Sequence, residues 1–346
     1  MALARPGRGR PRRARPRRRK VVLGILAAVL VLAVAGSVGL YAYGRSLNGD
    51  LKRTDAFSGL SDRPSAAVVG ALNVLVLGSD TRDPGITNAE DPARSDTMML
   101  LHVDADHQHA YVISIPRDTW VHVPAAPDGN GDTMAKINAA YAWGGTPLAV
   151  QTVEEFTGVR IDHVVLVDFG GFQKVIDAMG GVDLTVDQTI TSIFPPYRVF
   201  TAGRQHLNGN EALDYVRQRY QYDDGDLTRE KHQQQLLAAL LDQAAKAGTL
   251  TNLGRLDDLL RSVTACLTVD NGFDLVGVAL ALRNLRGPDV TYLTSPIAGM
   301  DWEGDEAVVL PDQEQAAQLY QAVRQDTVGA YLHGGSGAPN PARIGG

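Results

Sequence analysis

The longest uninterrupted run of hydrophobic positions lies near the N-terminus of the 346-residue chain. Residues 21–43, VVLGILAAVLVLAVAGSVGLYAY, contain no charged side chain. A helix that rises about 1.5 Å per residue would carry this segment across the hydrocarbon core of a bilayer, about 30 Å. The run therefore predicts one transmembrane helix. The alternative is a cleaved signal peptide that ends near Ala33–Ala35, and the length of the apolar run argues against it.

Basic side chains precede this run, and polar residues follow it. Residues 1–20 carry nine arginines and Lys20 but no acidic residue. Because positively charged flanks stay on the cytoplasmic side, we expect this tail in the cytoplasm and residues 44–346 outside it. Residues 44–72 are polar and contain turn formers, so we expect a stalk between the membrane and the globular part.

Beyond residue 72, strand-like runs alternate with helix-like ones. The first strand-like runs are 73–77, 97–106 and 109–118. A helix is predicted after them, with Thr146 as its cap, Pro147 at its first position and Gly158 as its stop. This alternation predicts an α/β domain over 73–327, an α-β-α sandwich around a mixed central β-sheet. The remaining 328–346, rich in Gly, Pro and Ala, are predicted to be a disordered tail.

Composition narrows the function classes. The formal net charge is −6, but ten of the 33 basic residues lie in the N-terminal tail, which leaves 23 against 39 acidic residues. A body with a net charge near −16 repels a polyanion, so nucleic-acid binding is excluded there. The single cysteine, Cys266, excludes an intrachain disulfide and a cysteine metal site, which is in keeping with a bacterial envelope protein. His102, His107 and His109 lie in a hairpin-like segment, where we expect them to be solvated.

Arginines are concentrated in residues 215–237, YVRQRYQYDDGDLTREKHQQQLL. The period of two predicts a strand with Arg217 and Arg219 on one face. Arg229 falls in the first turn of a predicted helix, where the helix dipole disfavours a cation unless an anion shares the site. Gln233 lies one turn further on the same face. The alternative for this stretch is a solvated edge strand whose arginines pair with the acidic residues of the turn.

Three more polar residues adjoin the predicted strands. Asp80 follows the first strand, Asp96 precedes the second, and Arg117 ends the third. Ligands of open α/β sheets gather at the carboxyl ends of strands, although aspartates there are often only turn or cap residues. Arginine forks match phosphate oxygens, and carboxylates beside phosphates commonly hold Mg²⁺. Together these residues predict phosphoryl or pyrophosphate chemistry with Mg²⁺, or Mn²⁺ in its place.

Several longer motifs occur in order between Asn73 and Gly248. They are VLVLGSDTR, RSDTMML, ISIPRD, KINAAYAWGG, FGGFQKVIDAMGGVDLTV, LNGNEALDYVRQR and DLTREKHQQQLL. In this series the chain resembles the LytR-CpsA-Psr family of bacterial envelope proteins. One departure is His232, where many members of the family have an arginine, so one cationic contact is expected to be weaker or pH-dependent.

The resemblance implies a membrane-anchored, Mg²⁺-dependent transferase. It would move a glycopolymer from a polyprenyl pyrophosphate carrier to peptidoglycan, typically to a muramic acid 6-hydroxyl. Asp80 and Asp96 would then bind the metal and act in catalysis with Arg117 and Arg219. The residues expected to bind the pyrophosphate are Arg117, Arg217, Arg219, Arg229 and Gln233. Those expected to line the site are Arg82, Arg94, Lys136, Asn138 and His232. Those expected to line a groove for the lipid tail are Phe172, Val175, Ile176, Ile193 and Phe194.

Two other functions use the same residues. One is a non-catalytic regulator that binds polyprenyl phosphates and attenuates envelope genes. The other is a hydrolase that releases phosphate from the carrier with water as the acceptor. The predicted site residues do not separate transfer from hydrolysis, and the sequence indicates neither the glycopolymer nor the oligomeric state.

Overall fold

A computed structural model of the protein describes residues 42–79, 95–127, 129–222, 225–246 and 253–334. The chain divides into two compact units, 1–46 and 47–346, and the second contains the central sheet with its covering helices. Within the described ranges, no helix combines the length and the apolarity that crossing a membrane requires. The tail predicted at 1–20 and nearly all of the span predicted at 21–43 lie outside those ranges.

Strands and helices alternate along the chain as the hydrophobic pattern predicts. The strands are β1 Lys52–Thr54, β2 Leu72–Ser79, β3 Ser95–Val103, β4 Ala110–Ser114, β5 Trp120–Val123, β6 Thr133–Lys136, β7 His163–Asp168, β8 Val182–Val186, β9 Ile190–Thr191, β10 Val199–Phe200, β11 Gly203–Leu207, β12 Leu267–Asp270, β13 Val290–Thr294, β14 Ile297–Glu303 and β15 Glu306–Pro311. The helices are α1 (residues 42–50), α2 Ala139–Thr157, α3 Phe169–Ala178, α4 Gly209–Val216, α5 Asp226–Lys246, α6 Leu253–Cys266, α7 Leu275–Leu282, α8 Gln313–Arg324 and α9 Val328–Gly334.

In the described part of the chain, seven strands form the central sheet in the order β1-β12-β7-β2-β3-β4-β13. Strand β2 runs parallel to β7 and antiparallel to β3, and both kinds of pairing recur toward the edges. The sheet is therefore mixed, as predicted. The other strands form short two-stranded pairs, among them β5 with β6, β8 with β11 and β14 with β15.

The two faces of the sheet bury different sets of side chains. Leu75 and Leu100 point to the first face, where they join the core formed with α2 and α8. Val76 and Met99 point to the second face and pack with Leu237 of α5. Because successive side chains of a strand alternate between the faces, a sheet covered on both sides needs nearly continuous apolar runs. This burial confirms the prediction of helices on both faces of a mixed sheet.

The helix predicted to begin at Thr146 is the second part of a longer element. Helix α2 already starts at Ala139 and is kinked at Gly145, whose φ is 61° and ψ is −153°. Gly158 ends the helix in the left-handed conformation, with φ at 65°, as a glycine stop does. The predicted stop is confirmed, and the prediction missed the turn and a half of helix before the kink.

Two predicted boundaries are wrong. Within the segment predicted as a stalk, β1 pairs with β12 and forms an edge of the central sheet. The predicted disordered tail begins with a helix, α9, and Val328 in it is buried. In both places a few apolar side chains were enough to join the core, although the segments around them are polar and rich in turn formers.

Candidate active site

A pocket of about 370 Å³ opens on the second face of the sheet. Strands β2, β3 and β7 contribute to it, together with α3, α4, α5 and the loop at 193–194. Much of its wall is apolar, and these side chains are Val76, Met99, Val167, Phe172, Ile193, Phe194, Leu213, Val216, Leu236 and Leu237. A wall of this kind binds hydrocarbon, because the apolar surface of a ligand leaves water when it enters.

Helix α3 reaches the pocket because the chain can pass close to α6. Asp168 caps the helix by accepting a hydrogen bond from the Gly170 amide at 3.1 Å. At Gly171 a side chain would collide with the β-carbon of Cys266, so only glycine fits where the two helices meet. The next residue, Phe172, then lines the pocket.

Four arginines line the same pocket, and we call them the arginine group: Arg117, Arg217, Arg219 and Arg229. Arg117 follows β4, Arg217 is the C-cap of α4, Arg219 comes two residues later, and Arg229 lies in the first turn of α5. The C-terminus of α4 favours a cation at Arg217, whereas the N-terminus of α5 disfavours one at Arg229. A phosphate between them would suit both places, since helix N-termini and guanidinium groups both bind its oxygens.

The segment that carries Arg217 and Arg219 is not a strand, and that prediction is wrong. Helix α4 continues to Val216, and Arg217 still has right-handed helical angles, with φ at −92° and ψ at −11°. The capping box of Asn208 and Glu211 fixes the start of this helix. The predicted alternation holds only at Gln218, which is fully buried between the two arginines. Val216 and Tyr220, predicted on the opposite face, line the pocket as well.

Gln218 holds the pocket wall in place from behind. Its side-chain nitrogen donates to the Ser192 hydroxyl at 2.9 Å, and its side-chain oxygen accepts from the Ile193 amide at 3.3 Å. The same loop places Phe194 under Arg217, whose guanidinium carbon lies 4.9 Å from the ring centre. Buried hydrogen bonds thus connect the arginine segment to the aromatic side chain beside it.

Two further contacts orient polar groups of the pocket. Arg219 lies over the ring of Tyr220 at 4.6 Å and donates to its hydroxyl at 2.6 Å. The Thr97 hydroxyl donates to the side-chain oxygen of Gln233 at 3.0 Å. Tyr220 and Thr97 line the pocket but were not predicted. Tyr220 follows Arg219 directly in the chain, so the period-two pattern assigned it to the opposite face.

The two predicted carboxylates adjoin the pocket along the chain. Gly78 pairs with Thr97, and both line the pocket, while Ser79 pairs with Ser95. Asp96 is therefore the extra residue of a β-bulge, and Asp80 is the next residue after Ser79. The side chain of Asp96 and all of Asp80, Arg82 and Arg94 lie outside the described part of the structure.

Lys136 and Asn138 are not part of the pocket lining. The amine of Lys136 forms ion pairs with Asp118 at 3.8 Å and Glu306 at 3.3 Å. Asn138 is buried, and its backbone amide donates to the Arg117 carbonyl at 3.1 Å. Both residues support the turn that carries Arg117 from behind, which corrects the prediction that they line the site.

His232 does not line the pocket either, although it was predicted to line the site. Its side chain is 5% exposed and packs between the rings of Tyr215 and Tyr222, outside the pocket lining. A helix turns by about 100° per residue, so His232 and its neighbour Gln233 point in different directions. The side chain of His232 therefore does not form part of the pocket wall.

Only part of the predicted lipid groove lines this pocket. Phe172, Ile193 and Phe194 line the pocket, whereas Val175 and Ile176 are buried in the core. Leu236 and Leu237, which are not among the predicted groove residues, form part of the pocket wall. The predicted site residues that the pocket brings together are Arg117, Phe172, Ile193, Phe194, Arg217, Arg219, Arg229 and Gln233.

The histidine-rich segment divides between surface and core. Asp104, Asp106 and His109 lie close enough to share a cation, but they belong to the turn between β3 and β4. Asp104 accepts hydrogen bonds there from the backbone amides of Gln108 and His109, which is ordinary turn chemistry. His102 contradicts the prediction of a solvated side chain, because it is 1% exposed.

The amino-acid sequence is similar to a family of known proteins. The model of the LytR_cpsA_psr family matches residues 41–325. The chain is 31% identical over 335 residues to the cell wall biosynthesis protein LcpA of Corynebacterium glutamicum, in a match that covers 85% of this chain and 63% of LcpA. The chain thus spans less than two thirds of the length of that relative.

Two further similarities cover most of the globular part. The chain is 32% identical over 267 residues to TagU of Bacillus cereus (strain AH820), named as a polyisoprenyl-teichoic acid–peptidoglycan teichoic acid transferase, with 74% of this chain and 82% of TagU covered. The crystal structure of B. subtilis TagV superposes with a TM-score of 0.61 at 29% identity, over 75% of this chain and 98% of TagV. The chain therefore belongs to the LytR-CpsA-Psr family.

Proposed function

We propose that this protein transfers a glycopolymer from a polyprenyl pyrophosphate carrier to peptidoglycan, forming a phosphodiester at a muramic acid 6-hydroxyl. The observation that carries the proposal is the combination in one pocket of the arginine group with a long apolar wall. A pyrophosphate with a hydrocarbon tail needs both, because arginine forks bind its oxygens and the apolar wall removes its tail from water. The name of the relative TagU describes a transfer of this kind.

The proposed reaction is a displacement at phosphorus. The acceptor hydroxyl attacks the phosphorus that carries the glycopolymer, and a new oxygen–phosphorus bond forms. The bond from that phosphorus to the bridging oxygen of the pyrophosphate breaks, and the polyprenyl phosphate leaves with the electron pair. The hydroxyl proton passes to Asp80 or Asp96 as general base.

The arginine group would stabilise the charge that this step creates. Negative charge grows on the bridging oxygen and on the departing phosphate, and donors already aimed at those atoms lower the barrier most. The contacts of Arg219 with Tyr220 and of Arg217 with Phe194 support this role, since they hold two guanidinium groups in fixed orientations. We therefore assign Arg117 and Arg219 to catalysis and the whole arginine group with Gln233 to pyrophosphate binding.

We propose Asp80 and Asp96 as the residues that hold Mg²⁺, or Mn²⁺ in its place. Carboxylate oxygens are the donors that both ions prefer, and the pairing of Ser79 with Ser95 supports a shared position at the pocket. A bound divalent cation would supply charge neutralisation at the pyrophosphate oxygens. Arg82 and Arg94, in the same segment of the chain, stay candidates for lining the site.

The proposal includes an anchor in the cytoplasmic membrane. The arginine-rich tail and the apolar run at 21–43 support a single anchor in the cytoplasmic membrane, with the pocket on the outer side. A carrier lipid in the outer leaflet of the same bilayer would then be on the same side of the membrane as the pocket.

The test uses the full-length chain in detergent micelles with a polyprenyl pyrophosphate glycan, Mg²⁺ and peptidoglycan. We expect glycan to become covalently attached to peptidoglycan, and EDTA to abolish the attachment until Mg²⁺ is restored. Phosphate released without attachment would identify a hydrolase instead. Binding of the lipid with neither product would identify a regulator, and either result would overturn the transferase proposal.

A further inference from the structure

Four side chains form a hydrogen-bonded cluster behind the arginine group, outside the pocket. We call Asp187, Tyr215, Tyr222 and His232 the Asp187 cluster. The Tyr222 hydroxyl donates to Asp187 Oδ1 at 2.9 Å, and His232 Nε2 lies 3.2 Å from Asp187 Oδ2. The Tyr215 hydroxyl lies 3.4 Å from Asp187 Oδ1 and 3.1 Å from His232 Nε2. One carboxylate thus holds three aromatic side chains.

Each of these aromatic side chains belongs to a segment that carries an arginine. Tyr215 lies in α4, two residues before Arg217. The Tyr222 amide donates to the Arg219 carbonyl at 3.2 Å. His232 lies in α5, three residues after Arg229. The cluster therefore connects the three segments that deliver Arg217, Arg219 and Arg229 to the pocket.

Charge explains why such a connection is needed. Guanidinium groups that face one pocket repel one another, most strongly before an anion arrives. Contacts that hold the backbone behind these side chains oppose this repulsion, in addition to the contacts of the guanidinium groups themselves. The Asp187 cluster supplies such contacts from a position where it cannot touch the ligand.

The contacts of His232 fit a neutral imidazole ring that carries one proton. A proton on Nε2 serves Asp187, while Nδ1 is buried and has no hydrogen-bond partner in the described part of the chain. Burial lowers the pKa of His232 below its ordinary value, although Asp187 opposes this shift. The charged groups that face it are Asp187 and, on its own helix, Lys231. Burial raises the pKa of Tyr215 and of Tyr222, so both hydroxyls stay protonated donors.

We propose that the Asp187 cluster sets the relative positions of Arg217, Arg219 and Arg229, and that His232 is a positioning residue rather than a pyrophosphate ligand. This inference rests on the proposed function, because it assigns the cluster to the pyrophosphate site. It gives the histidine at 232 a role that the pocket lining alone does not reveal.

A matched pair of variants tests the carboxylate. Asp187 and Asp183 are about half exposed and each holds more than one partner, but Asp183 holds Arg204 and His206, away from the arginine group. We expect Asp187→Ala to weaken binding of farnesyl pyrophosphate to the full-length chain about tenfold, the effect of losing one well-oriented charged contact. Asp183→Ala should change that affinity less than about twofold. Isothermal titration calorimetry measures both.

A pair of variants at His232 separates positioning from general stability. Glutamine can donate to Asp187 without titrating, so we expect His232→Gln to bind farnesyl pyrophosphate like the wild type at pH 7.5. His232→Leu should bind about tenfold more weakly, because Asp187 loses a donor. Below the pKa of His232 a second proton on Nδ1 would find no acceptor. The affinity of the wild type should therefore fall with acidification, and His232→Gln should lack that part of the fall.

The outcomes distinguish this inference from the proposed function. If the wild type does not bind farnesyl pyrophosphate, the proposed function fails and this inference fails with it. If the wild type binds farnesyl pyrophosphate and both Asp187→Ala and His232→Leu bind it with the affinity of the wild type, the inference alone is wrong. If Asp187→Ala does not fold, the test is the pH dependence of the affinity for farnesyl pyrophosphate. If the affinity of His232→Gln falls with acidification as much as that of the wild type, the positioning role is wrong.

Discussion

Among single residues, Arg219 is the one on which we expect the proposed reaction to depend most. Its guanidinium is held by the ring and the hydroxyl of Tyr220, so little side-chain entropy is lost when a phosphate binds. Arg229, in the first turn of α5, is buried. The two arginines reach one pocket.

Replacing Arg219 by alanine should lower kcat/KM for glycan transfer by about 100-fold or more, as removal of one preorganised donor does in other enzymes. Lys231, an exposed cation on α5, provides the control, and Lys231→Ala should stay within about twofold of the wild type. Initial rates with purified full-length variants measure this. Equal rates for Arg219→Ala and the wild type would contradict the assignment of Arg219 to catalysis.

Among the elements, α5 does the most to organise the site, because consecutive residues are held on different sides. His232 faces the Asp187 cluster and Gln233 faces the pocket. Gln234 donates to the Ser114 hydroxyl at 2.8 Å and to the Leu293 carbonyl at 3.2 Å in the sheet. Gln235 donates to the Thr185 carbonyl of β8. A helix advances about 100° per residue, so four such neighbours fix its rotation as well as its place.

Because Gln233 faces the pocket and Gln234 faces the sheet, replacing them should affect different properties of the protein. Gln234→Leu leaves buried acceptors without their donor and should lower the free energy of unfolding by about 1–3 kcal/mol. Gln233→Leu should change that free energy by less than about 1 kcal/mol, because its side chain lines an open pocket, but it should weaken pyrophosphate binding. Urea titrations and calorimetric binding measurements on both variants check this. Two variants with the same pattern of loss would contradict the separate roles.

Element prediction from sequence succeeded where a local signal was strong and failed where tertiary packing decided. The stop at Gly158 and the first-turn position of Arg229 follow from capping preferences that act within a few residues. Arg217 and Arg219 were assigned to a strand because a period of two over five residues does not distinguish a strand from the end of a helix and its exit. Only Gln218 follows the predicted alternation, because Val216 and Tyr220 line the pocket together with the arginines.

At the scale of the whole molecule, stability should depend on pH through two buried histidines. His102 in β3 contacts Asn73 Oδ1 at 2.7 Å and Asp326 Oδ1 at 3.1 Å. Burial lowers its pKa despite the nearby Asp326, and burial lowers the pKa of His232 in the same way. In the unfolded chain both would titrate near pH 6.5. Between that pH and the lower values of the folded state, the unfolded state binds more protons.

The free energy of unfolding should therefore fall as the pH is lowered from 7 through this window. Each histidine contributes a slope of at most about 1.4 kcal/mol per pH unit. Exposed His122 and His206 have raised pKa values from their hydrogen bonds to acids, which acts in the opposite direction but is weakened by solvent. Urea titrations from pH 7 to 5 measure the slope. A double variant, His102→Gln with His232→Gln, that keeps the full slope would contradict this origin.

The sandwich itself was predictable as a whole, because residues 74–77 are apolar on both faces and only a covered sheet accommodates them. The arginines of the pocket were predicted, whereas only Phe172, Ile193 and Phe194 were predicted among its ten apolar side chains. Leu236 and Leu237 have the same spacing as core residues such as Leu240, and no local pattern separates a wall that packs on protein from one that a ligand covers. For the same reason Val175 and Ile176 were wrongly assigned to the groove.

The apolar wall has a kinetic consequence for turnover. In the proposed reaction the hydrocarbon tail belongs to the donor and also to the phosphate that leaves, so each would occupy the same ten side chains. The transfer step would change the charge near the arginine group, but it would not change the contacts between the hydrocarbon tail and the apolar wall. Release of the spent carrier would then limit the cycle, as product release does in many enzymes. Rapid mixing should show a burst of about one transferred polymer per protein, followed by a slower phase set by how fast the membrane withdraws the lipid.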